Sequence, residues 1–214
     1  MFVNQRMSHP VITAHPDLSI QDALALMRQE GIRRLPVVDK RGHLVGIVSD
    51  RDLLHASPSD ATSLSVWELN YLISKITLEQ IMTREVISVA PNTPVEEAAR
   101  VMADNKIGGL PVLQGQELVG IITETDLFKI FLELLGAREA GVRLTVLVAD
   151  VPGELAKLTS IVRNLNGNIV AMVQVSGESS ADREVTLKVA GVEQQALAAA
   201  IEPEVLKLID IRSS

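Results

Sequence analysis

The stretch LPVVDKRGHLVGIVSDRDL at residues 35–53 decides the fold, because a close copy, LPVLQGQELVGIITETDL, stands at residues 110–127. Each copy predicts a short apolar strand, a polar turn, a second apolar strand, and a helix that opens at a hydroxyl residue. Pro36 corresponds to Pro111 before the turn, and Val45 corresponds to Val119 after it, so the single deletion in the second copy falls in the turn. An internal repeat of this kind indicates two copies of one structural unit.

The residues in front of each copy predict a further strand and a helix. Val11–Thr13 reads as extended, and Ser19 is the expected N-cap of a helix that ends at Gly31. In the second repeat, Thr93–Glu96 reads as a capping box with Pro94 at the first helical position. Each repeat is therefore expected to be β-α-β-β-α. Because neither repeat can bury both of its faces alone, we expect the two to pair about a pseudo-twofold axis.

The last third of the chain has a different pattern, in the order strand, helix, strand, strand, helix, strand. This βαββαβ order is the ferredoxin-like split arrangement, and the polar, glycine-flanked stretch 136–141 is the expected hinge before it. The predicted fold class is mixed α/β (α+β). The predicted boundaries are 1–56 for the first repeat, 57–78 for a helical insertion, 79–136 for the second repeat and 141–214 for the ferredoxin-like domain.

Composition excludes several classes of function. The net charge of −7 gives no basic footprint for nucleic acid or an anionic membrane surface, and no apolar run is long enough to span a membrane. The chain has no cysteine, which excludes disulfides and thiolate chemistry and suits a reducing cytoplasm. We expect a cytoplasmic protein without a signal peptide or a cofactor.

No catalytic motif stands out. The four histidines are not spaced as metal ligands on a helix, so we expect no metal site. The sequence contains no nucleophile elbow and no P-loop. We expect a non-enzyme, although a catalytic triad assembled in space leaves no such mark, so an enzyme stays the third interpretation.

Both repeats resemble a CBS domain. The resemblance is carried by the two Leu-Pro-Val strands, by the Gly-Ile-Val-Ser-x-x-Asp and Gly-Ile-Ile-Thr-x-x-Asp turns, and by the openings at Met7 and Met82. It covers residues 7–135. CBS pairs typically bind adenine nucleotides between the repeats, with a turn hydroxyl at the phosphate, a turn carboxylate at the ribose, and aliphatic groups around the base. By this resemblance the expected nucleotide-binding residues are Ser8, Ile12, Arg33, Arg34, Ser49, Asp52, Thr83, Ile87, Thr123 and Asp126.

Two features of this set have a second interpretation. A hydroxyl followed three residues later by Asp at a helix start is also an ordinary cap, and the two roles are compatible. The Arg33–Arg34 pair, which family members often use for phosphate, is equally an exposed basic pair. Because Gly108–Gly109 stands at the corresponding place in the second repeat, we expect the two sites to be unequal.

The C-terminal region resembles an ACT domain through Asp150–Leu155 after its first strand and through Gly167–Ile169. ACT domains often bind a small amino acid at a dimer interface, but many serve only for association, and both interpretations stay open. By this resemblance the expected amino-acid-binding residues are Asp150, Gly153, Asn168 and Ile169.

A CBS pair followed by an ACT domain, together with the Trp67–Tyr71 segment, resembles the acetoin-utilisation (AcuB) type of protein. The resemblance implies an allosteric regulatory protein that binds an adenine nucleotide or S-adenosylmethionine, with a link to acetoin utilisation. The wide apolar face at Leu127–Leu135 favours a homodimer. The alternative is an interaction module that regulates a partner enzyme without any small ligand.

Overall fold

The structure, a computed structural model, describes residues 1–56 and 73–213. The chain divides into two compact units, Met1–Leu127 and Phe128–Ser214. Most of the predicted helical insertion, including Trp67–Tyr71, lies outside the described residues.

Each repeat of the first unit contains a helix, an antiparallel hairpin and a second helix. The first hairpin pairs Leu35 with Val48, and the second pairs Leu110 with Ile122. The predicted helix-strand-strand-helix core of each repeat is confirmed. The elements are α1 (Ile20–Glu30), β1 (Arg34–Val38), β2 (Leu44–Ser49), α2 (Asp50–Ala56), α3 (Leu78–Ile81), α4 (Val95–Asn105), β3 (Gly109–Gln114), β4 (Glu117–Thr123) and α5 (Glu124–Leu134).

The ends of the helices only partly follow the predicted caps. Ser19 Oγ accepts a hydrogen bond from the Asp22 N–H at 3.1 Å, and Gly31 ends α1 with a φ of +64°, as expected. The predicted capping box of α4 is wrong: Pro94 is its N-cap, and the Thr93 hydroxyl accepts instead from the N–H of Ala90 at 3.1 Å. The Thr93 side chain therefore closes the turn before the helix rather than the helix itself.

The two repeats are joined by the segments that precede their first helices. Ser8 exchanges two backbone hydrogen bonds with Ile121, at 2.9 and 3.1 Å, and Thr83 exchanges two with Ile47, both at 3.0 Å. These two pairs occupy equivalent places in the repeat, so each opening segment crosses to the hairpin of the other copy. The crossing replaces the predicted opening strand, since the segment meets its own hairpin only at an isolated bridge, such as Ala14 to Val37.

Two matching side-chain contacts show the same pseudo-twofold relation. A Cβ on Gly46 would overlap the Sδ of Met82, and a Cβ on Gly120 would overlap the Sδ of Met7. Each methionine thus packs where the opposite hairpin has no side chain. Because Met7 corresponds to Met82 in the repeat and Gly46 corresponds to Gly120, the expected pseudo-twofold pairing is confirmed.

Aliphatic side chains form the core of the first unit. The helices contribute an apolar stripe and the hairpins contribute alternate residues, as period-3.6 and period-2 patterns require. The buried members of the first repeat's cluster are Ala14, Ile20, Ala23, Met27, Leu35, Val37, Val48, Leu53, Leu78 and Met82.

The second unit is a four-stranded antiparallel sheet with two helices packed on one face. Its strands lie in the order β6 (Asn168–Ser176), β7 (Asp182–Ala190), β5 (Val142–Ala149) and β8 (Lys207–Ser213). The core includes Leu158 of the first of these helices and Leu197 of the second, packed against Leu144 and Leu187 of the central strands. The predicted βαββαβ order is confirmed. The elements are β5 (Val142–Ala149), α6 (Glu154–Asn164), β6 (Asn168–Ser176), β7 (Asp182–Ala190), α7 (Gln194–Ile201) and β8 (Lys207–Ser213).

Candidate functional site

A cleft of about 870 Å³ opens between the two repeats of the first unit. Both repeats line it, which follows from the crossing of the opening segments. Its volume lies in the range of sites that enclose a small organic ligand. Six of the ten expected nucleotide-binding residues line this cleft, namely Arg33, Arg34, Ser49, Asp52, Thr83 and Ile87.

Ser49 and Asp52 form a closed hydrogen-bonded turn at the end of β2. The Asp52 carboxylate accepts from the Ser49 N–H at 2.8 Å and from the Ser49 hydroxyl at 2.7 Å, while the Ser49 hydroxyl lies 3.2 Å from the Asp52 N–H. This reciprocal arrangement is a capping box. All three bonds use Asp52 Oδ2 or the Ser49 hydroxyl, and Asp52 is exposed, so its second oxygen is available to a ligand hydroxyl.

Thr83 and Ile87 reach the cleft from the second repeat. The backbone of Thr83 is fixed by its two hydrogen bonds to Ile47 on β2, the strand that ends at Ser49. Ile87 is 39% exposed. Its exposed surface lies in the cleft and forms an apolar part of the cleft wall.

Arg34 crosses from one repeat to the other. A Cβ on Gly108 would overlap the Arg34 guanidinium, and a Cβ on Gly109 would lie 2.7 Å from Arg34 Cδ. Arg34 Nη2 lies 3.5 Å from Glu124 Oε2, at the start of α5. The glycine pair of the second repeat therefore makes the space that the arginine of the first repeat occupies.

Four cationic side chains and four carboxylates line the cleft, namely Arg33, Arg34, Arg51 and Lys106, and Asp50, Asp52, Glu85 and Glu124. The side chains of Arg33, Arg51 and Lys106 line it and make no ion pair within the described residues. Arg51 and Lys106 were not predicted from the sequence. Only their closeness in the folded chain identifies them, although Lys106 stands next to the Ile107-Gly108 approach to β3, at the place of Gly31 in the first repeat.

The other four expected residues do not line this cleft. Ser8 pairs with Ile121 near the end of β4, where the Asp126 carboxylate accepts from the Thr123 N–H at 2.9 Å and from its hydroxyl at 2.8 Å. Ile12 packs against the core of the first repeat. Asp126 is only 7% exposed, in contrast to its exposed counterpart in the first repeat. The two turns share the two hydrogen bonds to the carboxylate but differ in accessibility.

In the second unit, the four expected amino-acid-binding residues fall into two separate groups. Asp150 lies at one end of the sheet, where its N–H bonds to Ala181 and its carboxylate pairs with Arg183 at 2.8 Å. That carboxylate raises the pKa of the Arg183 guanidinium, chiefly through the hydrogen bond. Gly153 follows in the same turn with a φ of +102°.

Asn168 and Ile169 begin β6, where Asn168 pairs with Ala190 at the other end of β7. The length of β7 separates this end from Asp182, the partner of Ala149, by roughly 27 Å at about 3.4 Å per residue. The turn and the start of β6 therefore do not meet within one chain.

No three histidine or acidic side chains converge as metal ligands among residues 1–56 and 73–213. In the same part of the chain, every helix is too short or too polar to cross a membrane.

Comparison with known proteins places these features in a family. The CBS domain model matches residues 3–59 and 78–133. The chain belongs to the CBS-domain family. A TTHA0829-like ACT domain model matches residues 140–212, so the expected tandem CBS pair followed by an ACT domain is confirmed.

Two solved structures resemble the CBS pair. The CBS domain pair of protein MJ0100, in complex with 5′-methylthioadenosine and S-adenosyl-L-methionine, is 34% identical, covers 65% of this chain and 98% of its own, and has a TM-score of 0.53. A putative acetoin utilization protein (AcuB) from Vibrio cholerae is 37% identical, covers 65% of this chain and 96% of its own, and has a TM-score of 0.54. The second similarity supports the AcuB-type resemblance.

Among curated relatives, a CBS domain-containing protein of Dictyostelium discoideum is 33% identical over 136 residues, which is 63% of this chain and 94% of that protein. An L-aspartate semialdehyde sulfurtransferase of Methanocaldococcus jannaschii is 35% identical over 130 residues. That match spans 60% of this chain but only 23% of the sulfurtransferase.

Proposed function

We propose that the chain is a non-catalytic regulatory protein that binds an adenine nucleotide or a related adenosyl compound in the cleft of its CBS pair. The observation that carries this proposal is the gathering of Ser49, Asp52, Thr83 and Ile87 in one cleft from two repeats. The adenosyl ligands of the MJ0100 CBS pair, which has the same fold at 34% identity, support it.

Each of these residues is suited to contact a different part of the ligand. Ile87 supplies the apolar contact for the adenine ring, and the second oxygen of Asp52 accepts from a ribose hydroxyl. The Ser49 hydroxyl already donates a hydrogen bond to the Asp52 carboxylate, so it holds that carboxylate in place for the ribose. No hydrogen bond of the Thr83 hydroxyl is found among the described residues. We propose that this hydroxyl donates a hydrogen bond to a phosphate oxygen of the ligand.

The cleft lining balances four cations with four carboxylates, and Arg34 with Glu124 is the ion pair found among them in the described residues, so three cations remain to contact a ligand phosphate. Arg33, Arg51 and Lys106 bring three cations without an ion-pair partner in the described part of the chain. Arg34 adds a fourth, partly neutralised by Glu124. A phosphate gains charge-assisted hydrogen bonds from such groups, and guanidinium groups bind it with two parallel bonds. S-adenosylmethionine offers these groups a single carboxylate together with a sulfonium cation that they repel, and 5′-methylthioadenosine offers them no anion.

Regulation follows from differential affinity. A ligand shifts a conformational equilibrium only if it binds one arrangement better than another, and we propose that the hinge at 136–141 is where the CBS pair and the ACT domain change their arrangement. We propose a homodimer in which the ACT domain serves association. In such a dimer, an amino acid site at Asp150 and Gly153 requires Asn168 and Ile169 from the second chain, because one chain keeps them apart.

The cellular setting is also proposed. A role connected with acetoin utilisation rests on the similarity to the Vibrio cholerae protein alone. A cytoplasmic location rests on the absence of cysteine from the sequence.

Calorimetric titration of the full chain with AMP, ADP, ATP, 5′-methylthioadenosine and S-adenosylmethionine tests the proposal. We expect the phosphate-bearing compounds to bind more tightly than the other two. Asp52→Ala is expected to weaken binding by about tenfold or more, since each tenfold step corresponds to about 1.4 kcal/mol. Asp126→Ala, the matched change in the second repeat, is expected to alter it by less than about threefold.

If none of the five compounds binds at millimolar concentration, the proposal fails and the ligand-independent interaction module takes its place. If binding occurs but responds to Asp126→Ala and not to Asp52→Ala, the wrong cleft has been assigned.

A further inference from the structure

The face of the ACT sheet that carries no helix has a row of basic residues at one end. Across the four strands, Ala171 of β6, Lys188 of β7, Arg143 of β5 and Arg212 of β8 stand side by side. Arg143 and Lys188 are direct cross-strand partners, and like charges in that relation destabilise a sheet. Asp210 is the carboxylate found beside this row, at 3.2 Å from Arg143 and 2.7 Å from Arg212.

Lys188 is the unusual member of the row. It is only 6% exposed, and no hydrogen bond or ion pair of its side chain is found among the described residues. Its stem is covered by the connection between α5 and β5, since a Cβ on Gly136 would lie 3.5 Å from Lys188 Cδ and from the Ala171 Cβ. A lysine is almost never so deeply buried without an anionic partner.

Lys188 lines a small pocket on this face, of about 180 Å³. Arg143 and Lys188 supply its charge, while Leu135, Ala171 and Val173 supply an apolar wall. Further along, Thr186 shares a hydrogen bond with Thr145 at 3.0 Å. A pocket of this size fits a compact molecule with a short carbon chain.

From these contacts we propose that the pocket binds a small aliphatic monocarboxylate, with the carboxylate at Lys188 and Arg143 and the carbon chain against Leu135, Ala171 and Val173. The row holds three cations and one carboxylate, so a bound carboxylate adds a second negative charge to it. This site is separate from the CBS cleft, and it does not use the Asp150 turn or the start of β6 at Asn168.

The geometry also selects against an α-amino acid. An α-ammonium group lies beside its own carboxylate and would therefore face Lys188 and Arg143. The carboxylate that lines the pocket, Glu184, stands four residues from Lys188 along β7, which is about 14 Å between Cα atoms at about 3.4 Å per residue. We therefore expect the acid without the amino group to bind better than the amino acid of the same carbon skeleton.

Titration of the full chain with 3-methylbutanoate, 4-methyl-2-oxopentanoate and leucine, followed by calorimetry, tests this site. Both carboxylates without an amino group are expected to bind at least about tenfold more tightly than leucine. Lys188→Met keeps the apolar stem and removes the charge, and it is expected to weaken their binding by about tenfold or more. Lys207→Met, on β8 and outside the pocket lining, is the matched control and is expected to change binding by less than about twofold.

A second measurement needs no ligand. Because Lys188→Met replaces a mostly buried lysine, for which no ion pair is found in the described part of the chain, by an apolar side chain, it is expected to raise the melting temperature of the ligand-free protein. Loss of a structural ion pair would lower it. Tightest binding by leucine, undiminished binding in Lys188→Met, no binding of any of the three compounds, or a lowered melting temperature would each overturn the proposal.

Discussion

The two Asp residues of the duplicated turn offer a test in which one copy is the control for the other. In Asp52→Ala and in Asp126→Ala, the carboxylate that accepts from the preceding Ser49 or Thr123 is lost. The bond lengths are nearly the same in the two copies, at 2.8 and 2.7 Å in the first repeat and 2.9 and 2.8 Å in the second. Geometry alone therefore predicts equal losses of stability.

Burial predicts unequal losses. Asp52 is exposed, so water replaces the carboxylate and the cost is that of a lost cap, about 1 kcal/mol. Asp126 is 7% exposed, so the Thr123 N–H and hydroxyl lose a partner where little water reaches. Each unsatisfied group costs about 1–3 kcal/mol, and for these two groups we expect Asp126→Ala to lower the free energy of unfolding by about 2–6 kcal/mol.

Urea unfolding of wild type, Asp52→Ala and Asp126→Ala, followed by circular dichroism, measures the difference directly. Asp126→Asn keeps one acceptor oxygen and the shape, so its loss should lie between that of wild type and Asp126→Ala. Equal losses in the two alanine variants, or a larger loss in Asp52→Ala, would refute the reasoning that burial rather than bond geometry sets the cost.

Two further predictions concern charge and association. The Ser179 hydroxyl and N–H, which bond to Asp182 at 2.6 and 3.0 Å, hold the pKa of that carboxyl below its usual value of 3.8. The contribution of Asp182 to stability is therefore complete above pH 3.8 and is lost as the pH falls through the lower folded-state pKa. Urea midpoints measured over that pH range should fall less steeply in Asp182→Asn than in wild type. An equally steep fall in the two proteins would count against this prediction. On α5, the large apolar side chains Phe128, Phe131 and Leu134 are 68%, 56% and 57% exposed. We expect sedimentation at micromolar concentration to give a dimer, and we expect Phe131→Glu to dissociate it. A wild-type protein that sediments only as a 23.2 kDa species would exclude the dimer.

The sequence was most informative where the pattern is local or duplicated. The strands and helices of both repeats follow from alternation, helical spacing and turn residues such as Gly31, and two copies in register were enough to predict a pseudo-twofold pair. The predicted capping box at Thr93 was wrong because a threonine hydroxyl serves a preceding turn as readily as a helix, and here it accepts from the Ala90 N–H.

The sequence pattern did not predict which distant segments are in contact. The opening segments look like strands of their own repeat, yet Ser8 and Thr83 pair with the opposite hairpins. Nothing in the local pattern around Lys106 or Arg51 places them in the cleft. Lys188 reads as an ordinary polar position of an alternating strand, and only the register with Arg143 and the cover of Gly136 make it exceptional.

The difference between the two repeats follows from their symmetry. Arg34 and Gly109 occupy equivalent places in the two copies, and they contact each other, since a Cβ on Gly109 would lie 2.7 Å from Arg34 Cδ. Residues that are related by a twofold axis and also touch must lie at that axis, where there is room for one long side chain but not for two. A duplicated sequence with arginine in both copies would place two guanidinium stems in the same space. The fold therefore favours one large and one small residue at this axis. The first repeat, which has the arginine, gains a cation for its cleft, and the second repeat provides the surface on which that arginine lies. In this molecule the inequality of the two sites is a packing consequence of the pseudo-twofold, so a second arginine at Gly109 is expected to damage the pairing of the repeats rather than to create a second phosphate site.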